Sequence, residues 1–153
     1  MQLSLCAVGR KMPQWVQSGA NEYQKRLPSQ WQFKVHEVAQ ANLGNAAQNK
    51  TKEGEALLSC VPERAHIIAL DNRGKSWSTA DVADQLTRWQ ELGKPVSLLI
   101  GGPDGLDDRT FELSDQQWSL SPLTFPHPLV RVLVLEQIYR AYSLTINHPY
   151  HRA

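Results

Sequence analysis

Between Asn147 and Arg152 the chain sets two histidines, a tyrosine and an arginine in the run NHPYHR. Histidine exchanges protons near neutral pH, arginine holds anions through its planar fork, and a tyrosine ring can stack on a nucleobase. A tail that merely frays needs no such set. A second stretch, VSLLIGGPDGL from Val96 to Leu106, ends an apolar run in Gly101 and Gly102, then Pro103, Asp104 and Gly105. Glycine lets backbone approach a ligand closely and permits unusual φ. A tight turn beside a packed core is the plainer reading of the same residues. In a third stretch, SLSPLTFPHPLVRVLVLEQIYRAYSL (119–144), Pro122, Pro126 and Pro128 stiffen a loop ahead of a long helix. The first two turns of that helix are nearly all apolar. A helix apolar all round is buried on every side, which in so short a chain implies a partner subunit, an unusual internal wrap, or a central core helix.

The glycine stretch restricts its own ligand. In an open parallel sheet, ligands sit at the carboxyl ends of the strands, where Gly101 and Gly102 leave theirs. A phosphate loop requires Lys-Ser/Thr after its glycines, whereas this chain continues Leu106, Asp107, Asp108. Two carboxylates at a helix start repel an anion, and GxGxxG is absent. A neutral or cationic nucleoside fits better. S-adenosylmethionine, with no phosphate and a positive sulfur, is one.

The 153 residues amount to one domain, expected to span 1–153, and are enough for a core without disulfide staples. Cys6 and Cys60 lie far apart in apolar stretches and read as buried thiols of a reducing compartment. The opening MQLSLCAVGRKM places its apolar run before its basic pair, the reverse of a signal peptide. No run is long enough to cross a bilayer, so the expected compartment is the cytoplasm. Net charge is only +1, but it is unevenly spread. Residues 1–50 carry six basic groups against two acidic, and from Pro126 onward three arginines stand against one glutamate. Both ends can face an anionic partner, although solvated helix faces account equally well for the N-terminal charges.

The elements that would position these residues alternate. LSLCAV (3–8), FKVHEV (33–38), HIIALD (66–71), VSLLI (96–100) and QWSLS (117–121) read as strands. Pro13 opens a helix with Trp15, Gly19, Tyr23 and Leu27 on one stripe. Residues 40–50 have no period and read as a mobile loop, followed by a helix through Glu53 to Leu58 that ends before Pro62. NRGKSW (72–77) reads as a turn. Ser78 and Asp81 form a capping box for a helix carrying Val82, Leu86 and Trp89 inward as far as Gly93. A short polar helix covers Leu106 to Asp115, and the last helix runs from Pro128 toward Asn147. VSLLI, apolar throughout, suits a strand buried on both faces. The fold class is α/β: a mostly parallel sheet of about five strands with helices on both faces.

IGGPDGL, WSLSPLTFPHPLVRVLVLEQIYRAYSL and NHPYHR together resemble the small bacterial RlmH proteins of the SPOUT methyltransferase superfamily. The similarity runs from KMPQWV to the C-terminus and is weakest over 40–60. It implies a C-terminal trefoil knot, a homodimer, S-adenosylmethionine as methyl donor, and the ribosome as partner. The acceptor it implies is N3 of a pseudouridine in a hairpin of 23S ribosomal RNA on assembled ribosomes. The donor site it implies comprises Leu70, Gly101, Gly102, Ser121, Pro122, Leu123, Thr124, Phe125 and Pro126. Backbone groups and apolar side chains of that kind suit an adenine ring. Asp104 stands where many relatives carry Glu, which places a shorter carboxylate near the sulfonium.

Methylating a ring nitrogen requires loss of the N3 proton or stabilisation of the resulting anion. The resemblance assigns this work to the tail, closing over the partner subunit's donor pocket. Arg152 suits the anion, Arg140 an RNA phosphate, His151 or His127 the proton, and Tyr150 the flipped-out base. Surface ion pairing or packing is the bland account of each. A zinc site from His127, His148 and His151 lacks cysteine or carboxylate partners at customary spacing, and no metal is expected. A nucleotide hydrolase on a related sheet and a ribosome-binding protein without catalysis are the other classes left open.

Overall fold

The computed structural model describes residues 1–152; Ala153, the last residue of the expected domain, lies outside the described residues. Its strands are β1 (Leu3–Val8), β2 (Lys34–Val38), β3 (His66–Ser76), β4 (Val96–Ile100) and β5 (Gln116–Ser119). Its helices are α1 (Gln14–Gln24), α2 (Ala46–Ser59), α3 (Thr79–Glu91), α4 (Asp108–Leu113) and α5 (His127–Thr145), with a 3₁₀ turn over Pro149–Arg152. The strands form one sheet in the order β2-β1-β4-β3-β5, and every pair is parallel.

Side-chain alternation along the strands divides the core into two layers. Leu5, Ala7, Ile68, Leu98 and Ile100 point to the face covered by α1, α3 and α5, where Leu86, Trp89, Leu135 and Ile138 are buried. Cys6, Val8, Ala69 and Leu99 point to the opposite face, against Leu57 of α2 and Phe111 of α4. All five residues of β4 are buried, as its apolar run requires. Burial pushes the Cys6 thiol up to about 12, which leaves it unreactive; Cys60 is half-buried and also free.

Local signals account for most boundaries. Ser78 Oγ accepts from the Asp81 amide at 3.1 Å, and Asp81 returns a bond to the Ser78 amide at 2.9 Å, closing the expected capping box. At the far end of α5, Asn147 takes a left-handed φ of 58°. The His148 amide bonds the Ser143 carbonyl at 2.8 Å, and the Asn147 amide bonds that of Leu144 at 3.2 Å. This paired closure turns the tail back along the helix it has just left.

Three expectations are corrected. Residues 46–50 are not loop: Asn45 Oδ1 accepts from the Gln48 amide at 2.8 Å and starts α2 there. NRGKS is not a turn but the second half of β3, and a register shift sets both Leu70 and Lys75 opposite Trp118. Gly74 makes this close approach possible, because a Cβ there would lie 2.6 Å from the β5 backbone. Trp15 is 56% exposed, so the inward residue of α1 is Val16. The all-round burial expected of α5 is met in part within one chain. Val134, Leu135 and Ile138 are covered, but Leu129, Val130, Val132 and Leu133 are only partly so within one chain.

Arg131 ties α5 to the sheet. Its guanidinium, 3% exposed, donates to the carbonyls of Val8 at 3.1 Å and Gly9 at 2.6 Å and pairs with Glu37 of β2. Glu37 matches the charge of this buried arginine and the two carbonyls take its terminal nitrogens, while Nε has no partner among the described residues.

Candidate active site

A cleft of about 880 Å³ opens at the carboxyl end of β4, beside the middle of β3. Leu70, the loop from Gly101 to Leu106, and Thr124, Phe125 and Pro126 line it. The loop is folded tightly. The Gly105 amide bonds the Gly102 carbonyl at 3.0 Å, with Gly105 at a φ of +82°. A Cβ on Gly101 would lie 2.6 Å from the Gly105 carbonyl carbon, so only glycine allows the turn to close. Buried Leu106 pins the end of the loop.

His127 begins α5 at the rim of this cleft. Partial burial, and secondarily the charge of Arg131, hold its pKa below the ordinary histidine value, so its ring is neutral at pH 7. Within the expected donor segment, Ser121, Pro122 and Leu123 lie outside the cleft lining. Ser121 instead shapes the bend: its carbonyl accepts from Ser119 Oγ and its hydroxyl from the Leu123 amide, each at 3.0 Å. Leu123 is 66% exposed.

Three further side chains at the cleft carry charge that sequence reasoning missed. Lys50 of α2 reaches its lining. Arg73 donates to Asp71 at 2.9 Å, Asp108 at 2.7 Å and the Leu106 carbonyl at 3.1 Å, and lies over the Phe111 ring. It thereby fastens the β3 extension to the glycine loop. Glu53, 3% exposed, stands behind Gly102. The KEGE run at 52–55 held a signal, since a glycine inside a helix often marks close packing. A Cβ on Gly54 would lie 2.4 Å from Asp107.

The tail residues gather elsewhere. Tyr150 OH donates to Glu136 Oε1 at 3.3 Å, and Arg140 holds the same oxygen through Nε at 2.8 Å. The guanidinium of Arg140 lies 5.0 Å from the Tyr150 ring centre, and that of Arg26 lies 5.9 Å from it on another side. Burial, then the hydrogen bond with Tyr23, raises the Tyr150 pKa, so its hydroxyl keeps its proton. Arg140, pinned by Glu136, stays charged. His151 is half-buried and Arg152 exposed. None of Arg140, Tyr150, His151 or Arg152 lines the cleft of its own chain. His127 and the pair His148 and His151 fall at opposite ends of α5, so the three histidines do not converge.

A glycine loop at the carboxyl ends of parallel strands, walled by a proline-stiffened segment, defines an α/β protein with a ligand cleft at its strand ends. A family model described as "Predicted SPOUT methyltransferase" matches residues 1–151. The chain belongs to that family: it is a methyltransferase, of a kind that in general acts on RNA with S-adenosylmethionine as donor. The residues present fit that donor. Phe125, Leu70 and Pro126 offer apolar surface for adenine, Lys50 suits a carboxylate, and the acidic neighbours of the loop suit a sulfonium rather than a phosphate.

Proposed function

We propose that this chain, as one domain, methylates N3 of a pseudouridine in large-subunit ribosomal RNA. It would work in the cytoplasm on the assembled ribosome, as a knotted homodimer of the RlmH kind. The observation that carries the reading is the cleft itself: segments 70–73, 101–106 and 124–130 meet there, although they are far apart in the chain. Their motifs are those of the resemblance. When bound, S-adenosylmethionine supplies an electrophilic methyl on a positive sulfur.

The rest falls to the protein's own groups. Leu70, Gly101, Gly102 and Thr124 to Pro126 hold the donor, with Lys50 for its carboxylate. Leu70, Phe125 and Pro126 would give its adenine an apolar slot, with main-chain groups of the loop available to hydrogen-bond it. His127, neutral and at the rim, accepts the N3 proton. Arg152 stabilises the anion left on the base, and Arg140 takes an RNA phosphate. Tyr150, its hydroxyl protonated, orients or stacks on the base. Much of the rate comes from holding donor and acceptor in line.

The tail and cleft of one chain stand apart: Tyr150 packs on Glu136 and Tyr139 of α5, and no described residue of the tail lines the cleft. The partly exposed apolar face of α5 supports pairing with a second copy, whose tail then completes the site. Mass spectrometry of ribosomal RNA from cells lacking the chain tests the reading. A methylated pseudouridine should disappear and return with the wild-type gene. An unchanged modification pattern would defeat the proposal.

A further inference from the structure

The glycine loop has an unassigned carboxylate behind it. Glu53 is 3% exposed. Its Oε2 accepts from the Ala41 amide at 2.9 Å. Its Oε1 is buried and has no hydrogen-bond partner among the described residues. That oxygen lies 3.1 Å from where a Cβ on Gly102 would be, and Gly102 is cleft lining. The absent side chain at 102 is what lets the carboxylate come so close.

The other acids around the loop are differently placed. Asp71 and Asp108 are both bound by Arg73. Asp104 is exposed, so water and salt weaken its field. Asp107 Oδ1 is likewise buried without a partner among the described residues, but it faces Gly54 of α2 and its residue is only half-buried. Glu53 combines near-complete burial with an unmatched oxygen set against Gly102 of the loop. Burial and nearby Asp104 raise its pKa, the mark of a carboxyl that lacks a counter-charge.

We propose that Glu53 is a specificity-determining residue that favours a cationic ligand over a neutral one at the Gly101–Gly105 loop, and so favours the methyl donor over its demethylated product. The inference rests on the donor assignment above. The two molecules differ at the reacting end by one methyl and one positive charge. A negative charge in a low-dielectric wall distinguishes them with no contact to the methyl. It also speeds turnover, because the spent product loses the attraction that its precursor enjoyed.

The test is calorimetric and needs no RNA. S-adenosylmethionine, sinefungin (which carries an amine-bearing carbon in place of the methylated sulfur) and S-adenosylhomocysteine are titrated into wild-type protein and Glu53→Gln. We expect the variant to bind both cations about tenfold more weakly and to keep its affinity for the neutral product within about twofold. Glu53→Asp, which retains the charge, is expected to retain the preference. The readout is a ratio of affinities on one protein, so a partly unfolded variant scales all three alike and leaves the ratio intact. Equal weakening of the three, or no change in any, would assign Glu53 to packing and overturn the proposal. Wild-type protein that binds none of the three would overturn the donor assignment with it. Wild-type protein that binds the product alone would overturn the charge argument and leave the cleft standing.

Discussion

Tyr150 meets Tyr139 edge to face, with ring centroids 4.7 Å apart and planes at 63°. This contact seats the tail on the middle of α5, well away from the cleft of the same chain. Arg152→Ala, or truncation before His148, should therefore lower methyl transfer by about a hundredfold or more. Donor affinity should remain largely intact. Transfer assays and calorimetry on the same preparation check this. A truncated protein that no longer binds donor would place the tail in the cofactor pocket instead.

If the tail serves a partner's cleft, two broken chains should rescue each other. Arg152→Ala lacks the anion stabiliser, and Gly102→Val blocks the loop, its Cβ meeting Val8 at 3.0 Å and Glu53 at 3.1 Å. Each alone should be inactive. Co-expressed in equal amounts, they should recover about a quarter of wild-type activity, because half the dimers contain one sound site out of two. No recovery would mean that each chain completes its own site.

The same pairing predicts a dimer by sedimentation at micromolar concentration. Leu133→Glu, on the partly exposed face of α5, should shift the protein to monomer while its circular dichroism stays native. A wild-type monomer would refute the pairing.

Arg131 offers a stability test. Alanine there leaves the Val8 and Gly9 carbonyls without its donors and Glu37 without its partner. Because Glu37 is half-exposed and can be solvated, the cost falls below that of a fully buried pair, about 2–3 kcal/mol, to be read from the midpoint of urea unfolding at constant slope.

Two groups should bend the pH profile of stability in opposite senses. His127 has a folded pKa below its unfolded one, so its contribution is complete above the ordinary histidine value of about 6.5 and is lost as pH falls through the folded value. His127→Gln should flatten that acid limb. Glu53 has a raised folded pKa, so its contribution is present below the usual carboxylate range and is lost as pH rises through the folded value. Glu53→Gln should accordingly be more stable than wild type at pH 8, with the gap closing toward pH 4. Thermal melts across pH 4–8 decide both. A Glu53→Gln protein less stable than wild type at pH 8 would contradict the second expectation.

Much of this architecture could be read from residues near one another in the chain. The Ser78 and Asp81 box, the apolar run of β4 and the proline bend before α5 are local signals. Asn45 and the first turns of α2 escaped because AAQNKTK has little apolar stripe to reveal them, and the helix is stabilised by packing Leu57 and Gly54 against the sheet and α4. The bulged half of β3 escaped because glycine and charge in NRGKS imitate a turn, and only the path of β5 past Gly74 makes them strand. In the site, the glycine loop was legible because its residue types advertise close approach to a ligand, whereas Phe125 was named only through the family resemblance. Arg73 and Glu53 were not, since each acts on loop residues 33 and 49 positions away, and an isolated Arg or Glu resembles any surface charge.

The bond from Arg131 to Val8 joins residues 123 apart. Everything from β1 through the first turn of α5 must therefore leave the ribosome's exit tunnel before the first strand acquires its final cover. Until then the forming sheet exposes apolar surface and invites other nascent chains. Chaperone occupancy of the unfinished chain should consequently influence yield, independently of the strength of any contact in the finished molecule.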